Sequence, residues 1–175
     1  MALGHGTRLA LDTNVLLDLA EGQSEVVRFF ETSKRKGYAL AVPATVLVEL
    51  DFALSDASDK RRQKLSELAQ EQMLTRWNVV PLPEPFRAED AENFGLMLRT
   101  RGLLPMQERN DGLILAECSL EGIGLLVSSD RHLLDMDQEA LAVAFNDFKP
   151  RLPHPVAVFH HTRITNVLRR LPDTR

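Results

Sequence analysis

Short, uninterrupted apolar runs recur along this chain between longer segments of mixed polarity, Leu9-Ala10-Leu11, Ala39-Leu40-Ala41-Val42 and Leu125-Leu126-Val127 being the clearest. A strand that alternates apolar and polar residues can leave one face in water, whereas a strand that is apolar throughout needs cover on both faces. Strands of the second kind, separated by helices, define an open parallel sheet between helical layers. Five strand segments read out in this way: Arg8 to Leu11, Tyr38 to Val42, Trp77 to Leu82, Leu125 to Val127, and Val156 to Phe159. The expected fold class is α/β, a three-layer α/β/α sandwich around a mostly parallel sheet of about five strands. Ligands of such sheets bind beyond the carboxyl ends of the strands.

The segments between the strands carry helix signals. Asp12-Thr13-Asn14 turns the first strand into an apolar helix, and Ser24 is placed to cap the next, which stops at Lys34-Arg35-Lys36-Gly37. Pro43 suits the first turn of a helix from Ala44 to Leu54, and Asp59 opens a charged helix reaching Arg76. Further helices are expected over Arg87 to Arg101, Gln107 to Leu120 and Asp137 to Phe148, with a basic tail helix ending near Arg170. No repeat or low-complexity linker divides the 175 residues, so a single domain is expected over 1–175, with room for a C-terminal extension from about residue 150.

Composition narrows the function classes. A formal net charge of −4 and a pI near 5.7 exclude a generally basic surface, so any contact with nucleic acid has to be local. The single cysteine, Cys118, cannot form an internal disulfide, and no Cys/His cluster has zinc spacing, which suits a reducing cytosol. No apolar run approaches the roughly 20 residues of a membrane span, and Met1 to Gly6 lack a basic start and an apolar signal core. The expectation is a cytoplasmic protein without membrane contact.

Four acids stand out. Asp12 directly follows the first strand and Asp130 the fourth, which places both at the sheet edge where ligands sit. Asp111 shares a helical face with Ile114, Leu115 and Cys118, and Glu49 shares one with Thr45, Val46, Phe52 and Ala53. Each aspartate also has an ordinary structural use, as a helix cap, a dipole partner or an Asx turn. Burying several carboxylates together costs several kcal/mol or forces some to take up protons, unless a cation offsets the charge. Hard oxygen donors without imidazole or thiolate favour Mg²⁺ or Mn²⁺ over zinc. Such an ion can activate water and neutralise charge growing on a phosphate.

The same residues carry a family resemblance. Leu9-Ala10-Leu11-Asp12-Thr13-Asn14 looks like the opening motif of PIN-domain nucleases, and Pro43-Ala44-Thr45-Val46-Leu47-Val48-Glu49-Leu50 resembles their second acidic motif. Asn110-Asp111-Gly112-Leu113-Ile114-Leu115-Ala116 resembles the third, and Leu126-Val127-Ser128-Ser129-Asp130 the fourth. The resemblance implies a PIN-like, Rossmann-like sandwich that cleaves RNA phosphodiesters with Mg²⁺ or Mn²⁺. It is similar to VapC-type toxins of type II toxin–antitoxin pairs, which implies a homodimer and a small antitoxin partner. By motif position Asp12, Glu49, Asp111 and Asp130 carry over as metal ligands or water-positioning acids, with Thr13, Asn14 and Ser128 as hydrogen-bonders that orient them. One departure is Asp130-Arg131-His132, where many relatives have another Asp two residues after the fourth acid; fewer metal ligands then remain. His132 is open to a metal or proton-transfer role, although a lone histidine after a strand is more often incidental.

Phosphate contacts have to come from cations near the acids, with Arg109 and Arg131 the foremost candidates and Arg99 and Arg101 next. Lys60-Arg61-Arg62 reads first as a solvated helix face. Two alternatives compete with a metal-dependent endoribonuclease. One is a catalytically weak PIN-fold module that binds RNA or serves as a scaffold. The other is a phosphatase with an aspartate nucleophile, which would want a second acid close behind Asp12, where Thr13-Asn14-Val15 stands instead.

Overall fold

Five parallel strands form one sheet in the order β3-β2-β1-β4-β5, and helices cover both of its faces in a three-layer α/β/α sandwich. The computed structural model describes residues 7–172; Met1 to Gly6, expected to lack an export signal, and Asp173 to Arg175 lie outside them. The strands are β1 (Arg8–Leu11), β2 (Ala39–Val42), β3 (Val79–Pro81), β4 (Leu125–Val127) and β5 (Ala157–Phe159). Between β1 and β2 run α1 (Thr13–Glu21) and α2 (Ser24–Arg35); between β2 and β3 run α3 (Ala44–Ser55) and α4 (Lys60–Gln72). The crossover from β3 to β4 carries α5 (Ala88–Thr100) and α6 (Arg109–Leu120), and that from β4 to β5 carries α7 (Arg131–Leu134) and α8 (Gln138–Asp147). The closing helix α9 (His161–Arg169) packs on α2. Among the described residues no helix is long and apolar enough to cross a membrane.

The apolar runs behave as two-sided strands must. Leu9, Ala10 and Leu11 of β1 are fully buried, as are Leu126 and Val127 of β4, and β1 pairs in parallel with β2 and β4 on its two sides. β1 is therefore the centre of the sheet.

Several boundaries differ from expectation for identifiable reasons. The third strand begins at Val79 instead of Trp77, because α4 runs on into a wide π turn over Met73–Trp77 and the chain reverses at Asn78, with φ of +53°. Asparagine is among the few side chains that tolerate this left-handed backbone. Trp77 is buried and meets the edge of Phe30 with ring centroids 6.4 Å apart, so its role is in packing. Ser24 is the first residue of α2, not its cap; Gln23 holds that position without a side-chain bond. The single turn α7, unanticipated, is capped by Asp130. Phe52, expected on a buried face of α3, is 74% exposed.

A close helix contact lies beside an acid. A Cβ placed on Gly112 of α6 would stand 2.5 Å from the Cα of Gly95 on α5, far inside van der Waals contact. Position 112 has to be glycine for α6 to lie this close, whereas a Cβ on Gly95 would come no nearer than 3.4 Å to the Gly112 backbone, and Asp111 is the residue immediately before Gly112. Gly112→Ala should separate the two helices and cost about 1–3 kcal/mol, read as a lower urea midpoint at unchanged slope. An unaltered midpoint would show that the helices do not meet at this depth.

Candidate active site at the reversal of strand order

Strand order runs outward from β1 through β2 to β3 on one side and through β4 to β5 on the other, so the crevice between the carboxyl ends of β1 and β4 is the topological switch point. The backbone ladder continues past both strand ends. The amide of Asp12 donates to the Val127 carbonyl at 3.0 Å, and that of Ser128 to the Phe159 carbonyl at 3.1 Å. Asp12 and Ser128 are therefore placed side by side by the sheet itself.

A web of neutral donors then orients the acids. Ser128 Oγ donates to Asp12 Oδ2 at 2.7 Å and accepts from the Asp130 amide at 2.9 Å, so one buried hydroxyl joins the acids that follow β1 and β4. Asp12 Oδ1 accepts from the Thr13 amide at 2.8 Å and caps α1. Thr13 Oγ1 donates to Glu49 Oε2, and Asn110 Nδ2 donates to Glu49 Oε1 at 2.8 Å. Asn14 Nδ2 reaches Asp130 Oδ2 at 3.3 Å, while Asp130 Oδ1 accepts from the His132 amide at 2.7 Å and caps α7. The helix cap expected of Asp12 thus coexists with its place at the site, and Asp130, expected to close an Asx turn, instead caps α7.

Asp111 differs from the other three. It is buried, and its Oδ2 has no hydrogen-bond partner. A buried carboxylate oxygen without a donor is a group whose partner remains to be supplied. Burial is the main cause that pushes Asp111 up to about 8, and the charges of Asp12, Asp130, Glu108 and Glu49 push the same way. Asp12 is pushed up to about 7, chiefly by burial and then by Glu49 and Asp130, against the lowering hydrogen bonds from Ser128 and Thr13. The hydrogen bonds place the four acids in one neighbourhood: Ser128 joins Asp12 to Asp130, Thr13 next to Asp12 bonds Glu49, and Asn110 next to Asp111 bonds Glu49 as well.

Among the described residues no three His, Cys, Asp or Glu side chains are drawn up around one point as ready-made ligands. Magnesium asks for less than that, since it is usually held by one or two carboxylates with waters completing its shell. The unpartnered Asp111 Oδ2 could supply one such oxygen, and the remaining lone pairs of Asp12 Oδ2 stay available beyond its bond from Ser128.

The basic candidates are distributed unevenly. Arg109 is engaged by Glu92, with Nη2 to Oε1 at 2.5 Å, so a phosphate would compete with that carboxylate. Arg101 pairs with Asp147 at 3.0 Å, Arg61 with Glu21, and Arg99 reaches the Arg109 carbonyl at 3.5 Å. Arg131 is exposed at the start of α7. His132 Nε2 lies 3.6 Å from Glu108 Oε1, turned to that carboxylate. Asn110 was not singled out from sequence, although it stands next to Asp111. Neither was Glu117, a buried acid that bonds to the start of α3, whose only sequence signal is that Pro43 leaves that helix without a cap of its own.

The structure thus defines an α/β/α sandwich with a parallel sheet and a group of buried and half-buried acids at its switch point, oriented by hydroxyls and amides instead of cations. The family model described as "PIN domain" matches residues 9–139, most of the chain, and the protein belongs to that family. It is 38% identical to the VapC ribonuclease of Aquifex aeolicus over 64 residues, 34% of this chain and 47% of that protein, so the match spans about half the length of the relative. Among solved structures, VapBC2 from Rickettsia felis bound to a promoter DNA fragment superimposes with a TM-score of 0.58 at 17% identity, covering 88% of this chain and 98% of that one. VapBC-1 from nontypeable Haemophilus influenzae gives a TM-score of 0.50 at 18% identity, covering 75% and 96%. At these identities the two structures speak for the fold.

The raised carboxyls have a consequence for stability. An aspartate whose folded pKa lies above its unfolded value of 3.8 binds its proton more tightly in the native state, so stability falls as pH rises from about 4 through the folded values of about 7 and about 8. Metal-free protein should accordingly lose thermal stability between pH 5 and pH 8, and Asp111→Asn should flatten that decline. A melting temperature rising over the same interval, with the variant no different, would contradict the burial of these charges.

Proposed function

We propose that the protein is a Mg²⁺- or Mn²⁺-dependent endoribonuclease acting as the toxin of a type II toxin–antitoxin pair. The observation that carries the reading is the unpartnered, buried Asp111 oxygen beside Asp12, within a group of acids whose charges reinforce one another. PIN-family membership and the partial match to a VapC ribonuclease support the same reading.

In this account Asp12 and Asp111 hold the ion, and Glu49 and Asp130 flank it and orient water through their free lone pairs. The ion supplies Lewis-acid activation of water and neutralisation of phosphate charge. The chain's own contribution is orientation. Ser128 fixes Asp12, Thr13 and Asn110 together fix Glu49, and Asn14 with the first turn of α7 fixes Asp130. Exposed Arg131, next to Asp130, is the phosphate contact nearest the acids in sequence, with Arg109 available once it leaves Glu92. RNA is thereby gripped locally, in keeping with an acidic protein, and the reading places its action in the cytoplasm.

Support for a regulating protein partner and for a homodimer comes from the surface. Val48 and Phe52, 64% and 74% exposed, line an open cleft of about 660 Å³ together with Glu49, Ala53, Arg62 and Asn110. Large apolar side chains beside a catalytic group mark a surface that a partner can cover.

Purified protein should cleave single-stranded RNA in Mn²⁺ or Mg²⁺ and not in EDTA. Asp12→Asn and Asp111→Asn should each lower the rate by about a hundredfold or more while the far-UV spectrum is unchanged, since asparagine still caps α1. Full cleavage by both variants would remove the acids from the chemistry, and RNA binding without cleavage by the parent would favour the scaffold alternative.

A further inference from the structure

Outside the acid cluster one more carboxylate is buried among the described residues, Glu117 of α6, and it faces a helix that lacks a cap of its own. The residue before α3 is Pro43, which offers no side-chain acceptor, and the first turn of α3 contains no acid. Glu117 takes over that function from a different element. Its Oε2 accepts from the Thr45 amide at 3.0 Å and its Oε1 from the Thr45 hydroxyl at 2.5 Å. Both residues are buried, so the two bonds are shielded from competing water.

The bonds matter for where they lie. Glu49 stands four residues, about one helical turn, beyond Thr45 on α3, and Asn110 and Asp111 stand about two turns before Glu117 on α6. α3 and α6 are thus tied at two points in antiparallel sense, Thr45 to Glu117 and Glu49 to Asn110. A single tie at Glu49 would let α3 pivot about its own functional residue. The second tie, a turn away, removes that rotation and sets how Glu49 is presented to Asp111. α6 cannot adjust from its other side, because Gly112 is pressed against Gly95 of α5.

We infer that Glu117 is a positioning residue for the reaction: by capping α3 from α6 it fixes the register of the two helices that carry Glu49 and Asp111. The inference rests on the nuclease reading above, and it assigns to Glu117 no contact with substrate or metal. A helix cap alone would affect stability. A register device also affects how the acids meet an ion, and the two roles separate experimentally.

Three quantities are measured on full-length protein: the Mn²⁺ dissociation constant by titration calorimetry, kcat and KM on a single-stranded RNA, and the melting temperature of the metal-free form. Glu117→Ala should lower kcat by on the order of tenfold to a hundredfold with a smaller change in KM, and should weaken Mn²⁺ binding. Glu117→Gln, which keeps an acceptor for the Thr45 amide and a donor for its hydroxyl, should restore both. Thr45→Val, which removes only the hydroxyl half of the tie, should fall between them and serves if the alanine variant does not fold. A lower melting temperature with kcat and Mn²⁺ affinity intact in Glu117→Ala, or in Thr45→Val if that is the variant available, would overturn the inference and leave a cap only. Parent protein that neither binds Mn²⁺ nor cuts RNA would instead overturn the nuclease reading, and this inference with it.

Discussion

Two carboxylates, those of Asp12 and Asp111, are withdrawn from water at a place where the charges acting most on them belong to other acids. That is an unfavourable arrangement for a metal-free protein, because burial and like charge both oppose ionisation. Folds accumulate such strain at sites where an external group repays it. The rest of the architecture serves to keep these side chains where they are. Parallel strands buried on both faces carry Asp12 and Ser128 to one crevice, and a glycine-to-glycine contact between α5 and α6 brings Asp111 down onto it.

The acids are oriented almost entirely by neutral donors: two hydroxyls, two amide side chains and backbone amides. A lysine or arginine in any of these places would hold the geometry and cancel the charge. Hydroxyls and amides hold it and leave the charge for a ligand. Two of the arginines expected to contact phosphate pair with other acids, Arg109 with Glu92 and Arg101 with Asp147. This division of labour sets the acids apart from a structural salt-bridge network, and it is what the proposed ion-binding role requires.

Much of this arrangement is legible in the sequence. The strand cores β1 and β4 coincide with apolar runs because burial on both faces leaves no room for polar residues, and the two acids that follow them are placed by topology alone. Asp111 is marked by helical spacing to Ile114, Leu115 and Cys118, all of them buried. What escaped depends on tertiary context. The π turn before β3 ends on Trp77, whose contact with Phe30 joins residues far apart in sequence that no local propensity pairs. Phe52 has the right spacing for a buried face, yet α3 turns it outward into an open cleft. Glu117 resembles any helical glutamate until Pro43 is seen to leave α3 uncapped beside it. The PIN-domain resemblance rested on four motifs in order, and the family model covers the same stretch.

The most direct test of the central claim is anomalous diffraction from a crystal soaked in Mn²⁺. The account predicts a peak within coordinating distance of the Asp111 oxygen that lacks a partner and of Asp12, with waters completing the shell. Crystals without such a peak, showing Asp111 instead satisfied by a basic side chain, would contradict it.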